Sequence, residues 1–299
     1  MPVGSISVIV PCFNGLPDLD VQLAALAAQD YHGDFEVIIS DNGSTDGLRE
    51  HLEQLESPLD LRWIDSSDVR GTPHARNAGI EAARGDFLVF TDQDDAVYPN
   101  WLTALARAAE TYDAVGGPIE VRTLNSPEVA TWRVVPAPDD RFETTYLPYA
   151  HGNNFGMWRH VVDHVGMFDE GFLGGGEDTD MSWRIQEAGL TLGHVPDAMV
   201  AYRLRTTARA AFEQGVGYGA AACDVLRKHR PYGAELPSVR AMLLFGYGLV
   251  IRNPLLPKSL SPLPTGMWAL SAGTLRGTVS RRLRHLLDER RLSRRAQGR

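Results

Sequence analysis

Residues 86–95 read DFLVFTDQDD, and the fold is decided by how this stretch is read. Asp86–Thr91 is a short apolar run between Gly85 and a polar cluster, the pattern of a buried strand. The run stops in acid: Asp92, Asp94 and Asp95 follow directly. Upstream, the same design recurs. Ser5–Val10 (SISVIV) is a β-branched run ending at Pro11, and Phe35–Ser40 (FEVIIS) is a second strand that ends at Asp41. Between them Leu16, Leu19, Leu23 and Leu26 recur at three and four residues, one face of a helix. A helix from about Thr45 to Leu55, a short strand Leu61–Ile64 and a helix Pro73–Ala83 continue the alternation. Pro99 opens a further helix that runs to Glu110, as proline does at a first helical turn.

Strands alternating with helices predict an α/β fold with a mainly parallel central sheet, and ligands bind outside the carboxyl ends of such strands. Asp41 ends strand two and Asp92, Asp94 and Asp95 end strand four, so these acids share one sheet edge. Adjacent carboxylates repel, and a hard divalent cation relieves that repulsion. Mg²⁺ uses one or two carboxylates together with substrate phosphates, so Asp92-Gln93-Asp94 suits a diphosphate ligand. Taken alone, the same acids also fit a solvated loop before the helix at Pro99.

Bulk properties narrow the field. The chain has 299 residues, 43% hydrophobic and 22% charged, ordinary for one large α/β domain with an appendage. Its net charge of -9 is uneven, because Arg276–Arg299 holds nine arginines against Asp288 and Glu289. The acidic remainder disfavours nucleic acid as a partner. It also disfavours a phosphate-rich ligand unless a cation intervenes. Cys12 and Cys223 lie far apart, with neither disulfide nor zinc-site spacing. No basic start or cleavage site precedes Ser5–Val10, so no signal peptide is expected. The apolar run Ala241–Ile251 is short of the roughly 20 residues of a membrane span. The expected location is the cytoplasm, extending to the inner face of the membrane.

Four segments carry more specific information: VIVPCFNG (8–15), ISDNGSTDG (39–47), ARNAGIEAARGDFLVFTDQDD (75–95) and GGGEDTDMSWRIQEAG (174–189). In this order and spacing the chain resembles the family 2 glycosyltransferases of the GT-A fold, over about residues 5–205. The resemblance implies a Rossmann-like GT-A catalytic domain over 1–205, with a helical extension and basic tail over 206–299. It implies an inverting enzyme that moves a sugar from a nucleotide-diphosphate donor to an acceptor hydroxyl, with Mg²⁺ or Mn²⁺ as cofactor. Pro11, Phe13, Asn14 and Asp41 would then hold base and ribose. Asp41 would read the uracil imide, which favours UDP-sugars and also admits dTDP-sugars. Arg76 and Asn77 would lie near ribose and diphosphate, Asp92 near ribose or sugar, and Asp94 would be the metal ligand. Of the Glu177-Asp178 pair, Asp178 would be the base that deprotonates the acceptor. Asp178 also suits a helix N-terminus, which carboxylates favour. Asp180 and Arg184, four apart, are expected to pair.

Asn153 and Asn154 are candidate sugar or acceptor contacts. Where many members of the family carry a histidine, the segment AYRLRTT has Arg203 and Arg205, candidate diphosphate contacts. The acceptor itself (glycan, lipid-linked, peptide or small molecule) is not legible. Two other readings remain: a nucleotide-sugar-binding partner protein without catalysis, and a nucleotidyltransferase. Against the second, Pro11–Gly15 replaces the glycine- and arginine-rich loop such an enzyme uses. The lack of Gly-x-Gly-x-x-Gly there also argues against a dinucleotide oxidoreductase.

Residues 117–150 read as irregular, broken by five prolines. Farther on, Phe212, Val216, Gly219, Cys223 and Leu226 form a helical stripe, with Gly215, Ala220 and Ala221 small enough for close packing. Trp268, Leu270 and Leu275 precede Arg281, Arg282 and Arg284. This pattern suits peripheral contact with anionic membrane, or packing on the catalytic domain ahead of a basic end.

Overall fold

Ile6–Cys12 is buried at every position and forms β1, the centre from which the sheet is built. A computed structural model describes residues 3–260 and 262–297, with side chains described through Asp288 except at Lys258. In chain order the elements are β1, α1 (Asp18–Ala27), β2 (Phe35–Asp41), α2 (Leu48–Gln54), β3 (Asp60–Asp65), α3 (Thr72–Ala82), β4 (Phe87–Phe90) and β5 (Ala96–Val97). There follow α4 (Trp101–Ala109), β6 (Ala114–Gly116), β7 (Ile119–Glu120), α5 (Pro127–Ala130), β8 (Phe155–Trp158), α6 (Arg159–Val165) and α7 (Glu177–Glu187). The chain closes with β9 (Leu192–His194), β10 (Val200–Ala201), α8 (Ala208–Lys228), α9 (Val239–Ile251) and α10 (Thr265–Gln297).

Two units divide these elements. The first comprises Met1–Asn125, Val135–Leu173 and Glu177–Arg203. Its sheet has the order β3-β2-β1-β4-β8-β6-β9, parallel throughout except that β8 runs against both β4 and β6. This is the mainly parallel α/β architecture of the GT-A fold. A small sheet, β5-β10-β7, adds a second layer of pairing. Because β2, β1 and β4 are adjacent and parallel, Asp41 and the acids after Phe90 emerge on the same edge. Pro73 sits in the first turn of α3, and a Cβ on Gly79 would meet Ile9 Cγ2 at 2.3 Å. Glycine is therefore what lets α3 lie so close to β1. Phe90 packs on Phe155 and Phe168 with ring centroids 6.0 and 5.2 Å apart, closing the core beneath the acidic edge. Residues 117–150, read as irregular, contain two brief elements, β7 and α5.

The second unit comprises Ser126–Val134, Gly174–Gly176 and Leu204–Arg299. Thr207 and Ser238 cap α8 and α9, each side-chain oxygen accepting a backbone N–H three residues on, as such residues do at N-caps. Helices α8 and α10 pack along glycines on both partners. A Cβ on Gly215 or Gly219 would meet the carbonyl oxygen of Leu270 or Thr274 at 2.1 or 2.0 Å, and one on Gly273 or Gly277 those of Phe212 and Val216, both at 2.1 Å. Gly215 and Gly219, both named in the sequence, thus serve backbone-to-backbone approach. Both cysteines are free and buried. Among the described residues no helix is long and apolar enough to cross a membrane. The tail arginines Arg290, Arg291, Arg294, Arg295 and Arg299 lie outside the described side chains.

Candidate functional site

The loop after β1 and the turn after β2 are tied together by side chains. Asn14, at φ 50°, donates its N–H to Ser44 Oγ (2.9 Å) and accepts from Thr45 N–H (2.7 Å). Asp41 ends β2 nearly buried, accepting from Ser44 N–H (2.8 Å) and Trp63 Nε1–H (3.3 Å). Its carboxylate still has lone pairs to offer. Pro11 is buried within β1. Phe13 is 47% exposed, with the Arg70 guanidinium 5.6 Å from its ring centroid.

The Asp92–Asp95 turn is held by Gln22, Gln93, Asn153 and Arg203, of which Gln22 carries no signal in the sequence. Gln93 is clamped to Phe13 in both directions, accepting its N–H (2.8 Å) and donating to its carbonyl (3.1 Å). Fully buried Gln22 donates to Thr91 Oγ1 (2.7 Å) and the Asp92 carbonyl (3.1 Å). Asp95 is also fully buried and accepts from Asn153 Nδ2 (2.5 Å) and Arg203 N–H (2.9 Å). Arg203 donates through Nε to the Asp94 carbonyl (2.8 Å) and reaches Asp18 at 3.3 Å. No spacing rule connects Gln22 to Asp92 across 70 residues, so only the fold reveals it.

Arg76 on α3 is 2% exposed. It donates to Asp92 Oδ1 (3.0 Å) and Glu177 Oε1 (2.7 Å), with Phe168 beneath its guanidinium. Glu177 opens α7 after Gly175 and Gly176, whose φ of 103° and 93° favour glycine. Burial pushes the Glu177 carboxyl up to about 7; Arg76 opposes this and Asp178 adds to it. Its Oε2 is buried without a partner. Asp178 accepts from Gly152 N–H at 2.9 Å and from Thr179 N–H at 2.7 Å. Asp180 pairs with Arg184 at 2.8 Å.

Two candidate contacts face elsewhere. Asn77 spends its amide on the Phe168 backbone in both directions and on Glu170, which makes it a brace rather than a ligand-facing group. Asn154, fully buried, accepts from Trp101 Nε1–H and donates to the Pro118 and Ala198 carbonyls. Both departures have one cause: a buried amide must satisfy its own hydrogen bonds. Asn153 also points to Asp95 rather than outward, and its Oδ1 is buried without a partner. Arg205 is exposed and belongs to the second unit.

The carboxylates gathered here raise the pKa of buried neighbours. Burial, then Asp92 and Asp94, push Asp95 well above the carboxylate range, and burial with Asp41, Asp46, Asp92 and Asp94 pushes the Cys12 thiol up. Asp92, Asp94, Asp95, Glu177 and Asp178 gather here with the guanidiniums of Arg76 and Arg203 among them. Among the described residues no three His, Cys, Asp or Glu side chains converge on one metal position. This donor set fits a cation held by one or two carboxylates and completed by substrate phosphate.

Comparison with known proteins shows the family of the chain. The model of the family described as Glycosyl transferase family 2 matches residues 7–166. Glycosyltransferase AglE of Haloferax volcanii is 30% identical over 210 residues, covering 65% of this chain and 65% of its own length. Chondroitin synthase of Escherichia coli is 25% identical, covering 66% of this chain. The chain spans only 34% of that synthase. Among solved structures, the mannosyltransferase PcManGT from Pyrobaculum calidifontis, in complex with GDP-Man and Mn²⁺, has a TM-score of 0.59. It is 21% identical, with 93% of this chain and 88% of that one covered.

Proposed function

Since the chain belongs to glycosyl transferase family 2, we propose that it is a metal-dependent inverting glycosyltransferase. Its donor is a nucleoside diphosphate sugar, UDP-linked ahead of dTDP-linked, and its acceptor a hydroxyl in glycan, polysaccharide or glycoconjugate assembly. The observation that carries this reading is the Arg76 bridge, which joins the Asp92 turn to the start of α7. Donor-side and acceptor-side acids thereby belong to one site.

Asp41 accepts from the base, and its demand for an imide N–H favours a pyrimidine. Exposed Phe13 offers a face for stacking. Asp94, with Asp92 beside it, would hold Mg²⁺ or Mn²⁺. When bound, the cation supplies charge stabilisation to the leaving diphosphate. Asp178 takes the acceptor proton as the oxygen attacks the anomeric carbon opposite the nucleotide, so configuration inverts. Its carboxylate is oriented by the Gly152 and Thr179 N–H groups, as a positioned general base requires.

The test is release of nucleoside diphosphate from UDP-, dTDP- and GDP-sugars with Mg²⁺ or Mn²⁺, followed by the product's anomeric configuration. Turnover of no donor, or a product that retains the donor configuration, would remove this reading.

A further inference from the structure

The second unit carries an exposed apolar surface that the proposed sugar transfer gives no role. Helix α9 reads VRAMLLFGYGLVI, apolar nearly all round, a pattern that calls for cover on every side. Among the described residues nothing covers it: Leu249 is its one buried residue. Leu243, Leu244, Tyr247 and Val250 are each 60% or more exposed. Beside it lies an open groove of about 600 Å³ between α9 and α10, lined largely by apolar side chains such as Met242, Leu275 and Leu286. Of the 20 exposed large hydrophobics among the described residues, 13 fall between Val239 and Leu287. The others are scattered. An exposed apolar patch of this kind marks an interaction site.

Charge identifies the partner. From Val239 to Leu287 the sequence holds no Asp or Glu, against six Arg and Lys258. Exposed Arg240 and Arg252 bracket α9, and Arg284 is exposed on α10. Residues 1–238 hold 17 Lys and Arg against 36 Asp and Glu. A second copy docked by a two-fold axis would set one basic face against another. An anionic phospholipid surface complements both properties, with acyl chains for the leucines and phosphates for the arginines. At 13 residues, α9 is about 20 Å long, too short to span a bilayer and suited to lie in its interface.

We propose that α9, with the groove it forms against α10, docks on the surface of a bilayer containing anionic phospholipid. The anchor is the apolar helix; Arg240, Arg252 and Arg284 around it supply the charge. Nothing in this docking depends on the donor chemistry, so the two readings stand or fall separately.

The full chain is sedimented with phosphatidylcholine vesicles with and without about 30% phosphatidylglycerol, at about 0.05 M and about 0.5 M salt. The expected result is binding to the anionic vesicles that weakens with salt. Leu244→Asp/Val250→Asp, at exposed positions, should lose roughly tenfold or more in binding with an unchanged melting temperature and donor turnover. Arg240→Glu/Arg252→Glu tests the same surface through charge should the first variant fold poorly, and should lose binding at low salt. Wild-type protein left in the supernatant, or variants that bind like wild type, would overturn the proposal. So would a wild-type dimer that Leu244→Asp/Val250→Asp dissociates, since a second copy would then be the partner.

Discussion

The Arg76 guanidinium and the Glu177 carboxylate lie 2.7 Å apart although 101 residues separate them in the chain. The same guanidinium reaches Asp92 at 3.0 Å. A planar fork can serve two carboxylates at once, which an ammonium point charge does less well. Burial of all but 2% of Arg76 makes the bridge rigid. It also makes it costly to break.

Arg76→Ala should therefore lower stability by about 3–5 kcal/mol, because it strands a buried acid, and should abolish sugar transfer. Arg76→Lys should keep most of the fold and lose donor turnover by roughly tenfold or more. Denaturant melts and donor hydrolysis rates measure the two effects. A fully active Arg76→Lys would show that the fork geometry does not matter.

The two acidic clusters should separate by function. Asp94→Ala is expected to remove the metal dependence of donor binding, read by calorimetry with and without Mn²⁺. Asp178→Asn should bind donor like wild type and lose transfer by about 10²-fold or more. Normal transfer by Asp178→Asn would relieve Asp178 of its role as base.

Glu177 predicts a pH dependence of stability. Its carboxyl titrates near 7 in the folded protein, above the ordinary glutamate range of about 4.3. The folded state thus binds the proton more tightly than the unfolded state. This contribution to stability is fully present below the unfolded pKa and disappears as pH rises through about 7; its size is at most about 4 kcal/mol. Comparing melting temperatures of wild type and Glu177→Gln between about pH 4.5 and about pH 8 isolates it, because the variant should lack that part of the slope. Parallel curves would show that Glu177 does not titrate there.

Helix packing in the second unit rests on absent side chains. A Cβ at Gly219 would sit 2.0 Å from the Thr274 carbonyl oxygen, so Gly219→Ala forces α8 and α10 apart and should cost about 1–3 kcal/mol. Gly248→Ala is the control, since a Cβ there meets nothing within 4 Å and alanine favours a helix by about 1 kcal/mol. Equal melting temperatures for the two variants would contradict the close approach.

Much of the site was legible because strands end where polarity changes. Asp41 and Asp92–Asp95 could be placed on one edge from the alternation of runs alone, since parallel strands share a direction. Asn77 and Asn154 were less legible, because an amide beside a motif looks the same whether it faces a ligand or a buried carbonyl. Gln22 gave no pattern at all, and the partners of Gln93 and Asp95 lie across long chain separations that no spacing rule reaches.

By itself, then, the sequence determined the strand–helix order and the acidic strand ends, which rest on local periodicity, and the family, which rests on the resemblance of its motifs. Only the tertiary structure decided which acids are bridged by Arg76, which amides are braces, and that α9 stands exposed rather than buried. The physical reason is that burial and hydrogen-bond partnership belong to pairs of distant segments. An apolar helix reads the same in sequence whether the chain covers it or leaves it bare.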